Sequence, residues 1–117
     1  MGKIEPLRSG ELETKVFRPP GPVALDFFQA SCAPCRVLEP ILERVAVQYG
    51  DRLPIYRVDI DRDMSLAQRF GVRSIPTVIV FRAGNEIERL DGLIREADLK
   101  AAFDHAVEGV GSGASAT

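Results

Sequence analysis

Hydrophobic positions repeat in two ways along the chain, and the two patterns alternate from one segment to the next. Val23–Phe28 and Thr77–Phe81 are nearly continuous apolar runs, typical of strands covered on both faces. Leu53–Ile60 predicts another strand, and the segment from Pro34 to Tyr49 shows the three- and four-residue spacing of an amphipathic helix. The apolar stripe of that helix is Val37, Leu38, Ile41, Leu42, Val45, Ala46 and Tyr49. Pro40 lies in the helix interior and should kink it.

Shorter segments complete the pattern. They are an edge strand at Lys3–Leu7, a helix from Ser9 to about Val16, a helix that begins near Asp61–Ser65 and ends at Phe70, a strand at Glu86–Leu90 and a helix at Arg95–Val107. A tight turn at Ala83–Asn85 makes the last two strands antiparallel. The resulting order, β-α-β-α-β-α-β-β-α, predicts an α/β fold with a mixed sheet and helices on both faces.

Composition limits the classes of protein to which the chain can belong. Its 117 residues, 45% hydrophobic and 27% charged, suit one globular domain, expected at residues 1–108, with a flexible tail of small residues at 109–117. Fifteen basic and 17 acidic residues leave a net charge of -2, which predicts binding to neither nucleic acid nor an anionic membrane. No apolar run approaches the ~20 residues of a membrane span, and no secretory segment is visible at the start. We therefore expect a cytoplasmic protein.

The chain contains two cysteines, Cys32 and Cys35, in the sequence Cys-Ala-Pro-Cys between a buried strand and the long helix. Unpaired N–H groups and the positive end of the helix dipole stabilise a thiolate there, and thiolate is the species that attacks disulfides. Cys32 should be the exposed nucleophile, and Cys35 the shielded thiol that resolves a mixed disulfide. Two incidental buried thiols, or a zinc site shared between two chains, are the alternatives to this redox interpretation.

The matches that suggest a family are spread over most of the chain. They are Asp26 in the first buried strand, Cys32-Ala33-Pro34-Cys35, Pro40, Arg73-Ser74-Ile75-Pro76-Thr77, Gly84 and Gly92. Together they resemble the thioredoxin family from Lys3 to Val107. The resemblance implies the thioredoxin fold and dithiol–disulfide exchange, with no dissociable cofactor and no metal.

The resemblance also implies roles for individual residues. Asp26 would be a buried proton acceptor for Cys35, although its position alone also fits a strand-end carboxylate with exposed oxygens. Arg57 would be its polar neighbour on the next strand. Pro76 would be cis, where an ordinary trans proline is the alternative, and with Ile75 it would bind a substrate peptide beside the flat surface of Gly92. The substrate would also contact the active-site segment Ser31, Ala33 and Pro34.

Several residues depart from the family pattern. Ser31 and Phe28 stand where the family often has Trp, Ala33 stands where Gly is usual, and Arg57 stands where Lys is common. These changes alter the expected docking surface but leave the exchange machinery intact. We predict a monomeric protein-disulfide reductase whose dithiol is regenerated by a separate NADPH-dependent flavoprotein, a thioredoxin reductase. The alternatives are a binding or assembly module for a dedicated partner, and a disulfide oxidase or isomerase, which the missing export signal disfavours.

Overall fold

A five-stranded mixed sheet organises the protein in its computed structural model, which describes residues 4–108. The strands are β1 (Ile4–Pro6), β2 (Pro22–Phe28), β3 (Ile55–Asp59), β4 (Thr77–Arg82) and β5 (Asn85–Asp91). Their order across the sheet is β1-β3-β2-β4-β5. β1, β3 and β2 run parallel to one another, whereas β4 is antiparallel to both β2 and β5. The predicted mixed sheet and the antiparallel final pair are confirmed.

Three α-helices flank this sheet: α1 (Ala33–Tyr49), α2 (Met64–Arg69) and α3 (Glu96–Val107). Side chains alternate between the faces of β2, so Ala24 packs on one side while Leu25 and Phe27 pack on the other. The Ala24 side is covered by α1 and α3, and the Phe27 side by α2 and the N-terminal segment. Two hydrophobic clusters thus hold the helices on both faces, as the sequence pattern predicts. None of the described helices is long and apolar enough to cross a membrane.

The segment predicted as one helix from Ser9 to Val16 is different in the structure. It forms a short 3₁₀ turn at Ser9–Glu11 and then a π-helix at Glu13–Phe17. The Ser9 side chain does not cap it; instead, the Ser9 N–H donates to Asp63 Oδ2 at 2.8 Å. The irregular winding brings Leu12 and Val16 into the core, and this long-range packing overrides the local capping signal.

The turn between β4 and β5 requires glycine at one position. Gly84 has a φ of +80°, and a Cβ there would lie 3.3 Å from the backbone oxygen of Phe17. Pro40 lies within α1, as predicted, and is exposed; the kink expected there stays a prediction. The predicted tail, residues 109–117, lies outside the described residues, so its flexibility stays a prediction.

Candidate redox site

The two cysteines meet at the start of α1, where β2 ends and the chain turns. A disulfide joins Cys32 to Cys35, with their Cα atoms 5.3 Å apart. Cys32 is the N-cap of α1, and the Cys35 backbone N–H donates to its Sγ at 3.1 Å. Pro34 stands in the first turn, where a missing N–H removes no helical bond. The helix N-terminus therefore places a backbone donor directly at the Cys32 sulfur.

Exposure distinguishes the two sulfur-bearing residues. Cys35 is only 4% exposed, whereas Cys32 is half-buried. The loop before β4 lies against Cys32, the more exposed of the two. The Ile75 carbonyl oxygen in this loop is 3.9 Å from Cys32 Sγ. The Ile75–Pro76 peptide bond is cis, so the alternative of a trans proline is wrong. The Thr77 hydroxyl donates to the Ser74 carbonyl at 2.5 Å within the same loop.

An apolar groove of about 330 Å³ lies beside the cysteine pair. Its lining residues are Ala33, Pro34, Val37, Leu38, Pro76, Gly92, Leu93 and Ile94. Four predicted substrate contacts are therefore brought together in one surface. Ser31 is exposed but is not part of the lining, and Ile75 adjoins Cys32 rather than the groove.

Four residues of this groove were not predicted as part of the site: Leu38 and Ile94, which are buried, and Val37 and Leu93, which are exposed. Val37 is 65% exposed, so its assignment to the buried stripe of α1 is wrong. Leu93, which follows Gly92, is 81% exposed. Periodicity places Val37 near the apolar stripe but cannot tell whether its side of the helix is covered. The signal that could have identified Leu93 is a large apolar residue in a loop next to a predicted contact glycine.

Asp26 is buried in the middle of the sheet and is 2% exposed. The alternative of a strand-end carboxylate with exposed oxygens is therefore wrong. Its register partner on β3 is Arg57, whose Nε lies 3.5 Å from Asp26 Oδ2. This contact is an ion pair without a hydrogen bond: Asp26 Oδ1 and Arg57 Nε both lack a hydrogen-bond partner among the described residues.

The protonation of Asp26 follows from this environment. Burial raises the pKa of its carboxyl from 3.8 to about 6, because removal from water disfavours the charged form. The positive charge of Arg57 opposes the rise, and the negative charge of Glu39 adds to it. Asp26 can therefore exchange a proton close to neutral pH.

Arg57 has two further contacts that were not predicted. Its Nη1 donates to Glu39 Oε2 at 2.5 Å, and its guanidinium carbon lies 4.3 Å from the centroid of the Phe28 ring. Glu39 follows Cys35 by four residues on α1, so the two residues lie on one face of the helix. A cavity of about 230 Å³ is lined by Phe28, Gln29, Ala30, Cys35, Arg36, Glu39 and Arg57.

The Cys32–Cys35 disulfide begins a helix and has the cis-proline loop next to it. This arrangement is that of a thiol–disulfide oxidoreductase, and Asp26 is buried in the strand that leads to the cysteines. Residues 3–105 match the family model named thioredoxin, and the chain belongs to the thioredoxin family. Proteins of this family need no prosthetic cofactor. No group of three or more His, Cys, Asp or Glu side chains in the described part of the chain could hold a metal ion.

Individual relatives agree with this assignment. The chain is 34% identical to thioredoxin 1 of Synechococcus elongatus over 83 residues, which are 71% of this chain and 78% of that protein. It is 35% identical over 78 residues to the chloroplastic M-type thioredoxin of Chlamydomonas reinhardtii, covering 67% of this chain and 56% of that one. The crystal structure of Malassezia sympodialis thioredoxin superposes with a TM-score of 0.82 at 28% identity, covering 92% of this chain and 93% of that one.

Proposed function

We propose that the protein works in the reducing direction on protein disulfides, with Cys32 as nucleophile and Cys35 as resolving thiol. The observation that carries this assignment is the difference in exposure between the two cysteines. Only Cys32 is open to an incoming disulfide, and the Ile75 carbonyl beside it can accept a hydrogen bond from the backbone of an extended substrate.

The chemistry proceeds by two displacements at sulfur. The Cys32 thiolate attacks one substrate sulfur, a mixed disulfide forms, and the other substrate sulfur leaves as a thiolate that takes a proton from water. The Cys35 thiol then transfers its proton to Asp26, and the Cys35 thiolate attacks Cys32 Sγ. The Cys32–Cys35 disulfide forms as the mixed disulfide breaks and the second substrate thiolate leaves. Two electrons have passed from the protein dithiol to the substrate.

Asp26 is the proton acceptor for Cys35 in this scheme. With a pKa of about 6, the Asp26 carboxyl is mostly ionised at neutral pH and is free to accept a proton. Because this pKa is close to the working pH, the carboxylate is also basic enough to take the proton of a thiol. Side chains two residues apart on a strand point to the same face, so Asp26 lies on the same face of the sheet as Ala24. That face is covered by α1. Cys35 belongs to that helix, which supports proton exchange between the two groups.

The apolar groove supports a peptide substrate with hydrophobic residues next to its disulfide. Exposed Val37 and Leu93 offer apolar contact area in the groove that Pro76 also lines, and Gly92 adds no side chain to it. Burying such side chains is worth about 25 cal/mol per Å² of apolar surface removed from water. Ser31 is small and offers little contact area to a substrate. Substrate binding therefore depends on the groove rather than on a large side chain next to Cys32.

We further propose that a flavoprotein thioredoxin reductase, which draws electrons from NADPH, regenerates the dithiol, and that the protein acts as a monomer in the cytoplasm. The net charge of -2 supports protein substrates rather than nucleic acid or membrane surfaces as partners. One relative is chloroplastic, so the proposed compartment is tested by cell fractionation. We expect the protein in the cytoplasmic fraction.

The deciding experiment is turnover of a disulfide-bonded protein with NADPH and a thioredoxin reductase. We expect NADPH consumption that depends on the protein and is lost in Cys32→Ser. Cys35→Ser should accumulate mixed disulfides through Cys32, because no thiol remains to resolve them, and the matched double variant Cys32→Ser/Cys35→Ser should accumulate none. Absence of turnover together with absence of trapped substrate would refute the reductase assignment.

A second candidate function is binding of one dedicated partner, in which the cysteine pair has little general reductase activity. The observation that favours it is the exposed apolar pair Val37 and Leu93 beside a cysteine that Ser31 leaves uncovered. A binding module would hold its partner equally well in the Cys32→Ser/Cys35→Ser variant. A reductase would lose its covalent capture of substrates in that variant.

A further inference from the structure

Arg57 stands between two carboxylates and makes its closer contact with the outer one. Its Nη1 hydrogen-bonds to Glu39 Oε2 at 2.5 Å, whereas its Nε lies 3.5 Å from Asp26 Oδ2 without a hydrogen bond. The Glu39 side chain is 39% exposed and that of Asp26 is 3% exposed. The Arg57 guanidinium therefore lies at the boundary between the sheet interior and solvent, and its hydrogen bond is made to the carboxylate on the solvent side.

Two features hold the guanidinium group in this position. The Phe28 ring packs against it, with 4.3 Å from the ring centroid to the guanidinium carbon, which favours a cation over the aromatic face. Glu39 approaches from α1, one turn after Cys35, and completes the contact with a charge-assisted hydrogen bond. The hydrogen bond of Arg57 is thus made to Glu39, and its contact with Asp26 is the longer one.

We propose that Glu39 is a positioning residue that draws Arg57 away from Asp26, and so keeps Asp26 able to take up the Cys35 proton near neutral pH. The proposal rests on the proton-acceptor role given to Asp26 above. Glu39 makes no hydrogen bond to either cysteine within residues 4–108, and it acts through Arg57.

The groups that face Asp26 determine the direction of the effect. β3 contributes Arg57, α1 contributes Glu39, and β4 contributes the uncharged Val78 at the paired position. Cys35, which is disulfide-bonded, lines one cavity with Glu39 and Arg57. Neutralising Glu39 removes a negative charge that raises the pKa of Asp26, and it frees Arg57 to pair with Asp26. Both changes favour the carboxylate, so the pKa of Asp26 should fall.

The test compares Glu39→Gln with Glu43→Gln, which makes the same charge change one turn further along α1. Glu43 is exposed and makes no ion pair within residues 4–108. The Asp26 carboxyl is titrated by ¹³C NMR in the oxidised protein, where neither cysteine titrates, with Asp26→Asn to identify the signal. Glu39→Gln should lower the pKa of Asp26 by about 1 pH unit, within the range for a carboxylate gaining an arginine partner. The same spectra report whether the variant is folded.

The pH profile of disulfide reduction provides the second readout. Its acid limb should move to lower pH in Glu39→Gln by the same amount, and should stay in place in Glu43→Gln. If Glu39→Gln shifts the Asp26 titration no more than Glu43→Gln does, the positioning role of Glu39 is refuted, whatever the activity. If Asp26→Asn keeps the wild-type pH profile while the NMR shift is seen, Glu39 still positions Arg57, and it is the catalytic role of Asp26 that fails.

Discussion

Replacing Asp26 by Asn should stabilise the protein at neutral pH and leave its stability unchanged in acid. The folded protein keeps a proton on Asp26 up to about pH 6, whereas the unfolded chain releases it near pH 3.8. Between these values the folded state binds more protons than the unfolded state, so wild-type stability falls as the pH rises. Asparagine does not ionise, and the variant therefore escapes this loss.

The size of the effect follows from the two pKa values. Each unit of pKa difference corresponds to ~1.4 kcal/mol, so a rise from 3.8 to about 6 corresponds to about 3 kcal/mol at pH values above the folded pKa. Removing one member of a buried ion pair usually leaves a costly unpaired charge. Here Arg57 keeps its bond to Glu39 and is partly exposed, so this penalty should be small.

Equilibrium unfolding in urea measures this difference directly. Oxidised wild-type protein and Asp26→Asn would be compared between about pH 4 and about pH 8, with equal m-values required before the free energies are subtracted. The free energy of unfolding of the variant should exceed that of the wild type by an amount that grows with pH and levels off above pH 7. A difference that stays constant with pH would refute the reasoning, because it would show that ionisation of Asp26 has no part in it.

Four further outcomes are expected. In the reduced protein, iodoacetamide should modify Cys32 many times faster than Cys35, as followed by peptide mass spectrometry; equal rates would contradict the assignment of nucleophile and resolving thiol. Leu93→Asp should raise KM for apolar peptide disulfides several-fold with little change in kcat, and an unchanged KM would mean that the groove does not bind substrate. Ser31→Trp should improve turnover of general protein disulfides by adding contact area beside Cys32; if nothing is gained, the missing Trp does not narrow specificity. Phe103→Ala should lower the free energy of unfolding by ~3–5 kcal/mol, since Phe103 is fully buried and packs edge-on against Tyr49; a loss below ~1 kcal/mol in urea unfolding would show that the core collapses around the cavity.

Strands and helices with strong local patterns were predictable. Thr77–Phe81 consists of four β-branched residues and a phenylalanine, and it lies within β4, an interior strand of the sheet next to β2. The spacing in α1 identifies its buried residues except at the margin of the stripe, where Val37 is exposed. The π-helix at Glu13–Phe17 could not be predicted, because its winding depends on the fit of Leu12 and Val16 against strands far away in sequence.

The sequence by itself determined the reacting groups: a cysteine pair whose spacing permits a disulfide, a helix start that favours thiolate, and an acid within an apolar strand. These are local properties, encoded by neighbours within one turn or one strand. Tertiary structure decided what surrounds them. Pairing of β2 with β3 sets Arg57 beside Asp26, and the packing of α1 on that sheet brings Glu39 to the same guanidinium group. The pKa of Asp26 depends on its distances from Arg57 and Glu39 and on its burial. These quantities exist only in the folded structure, because they depend on residues that are far apart in the sequence.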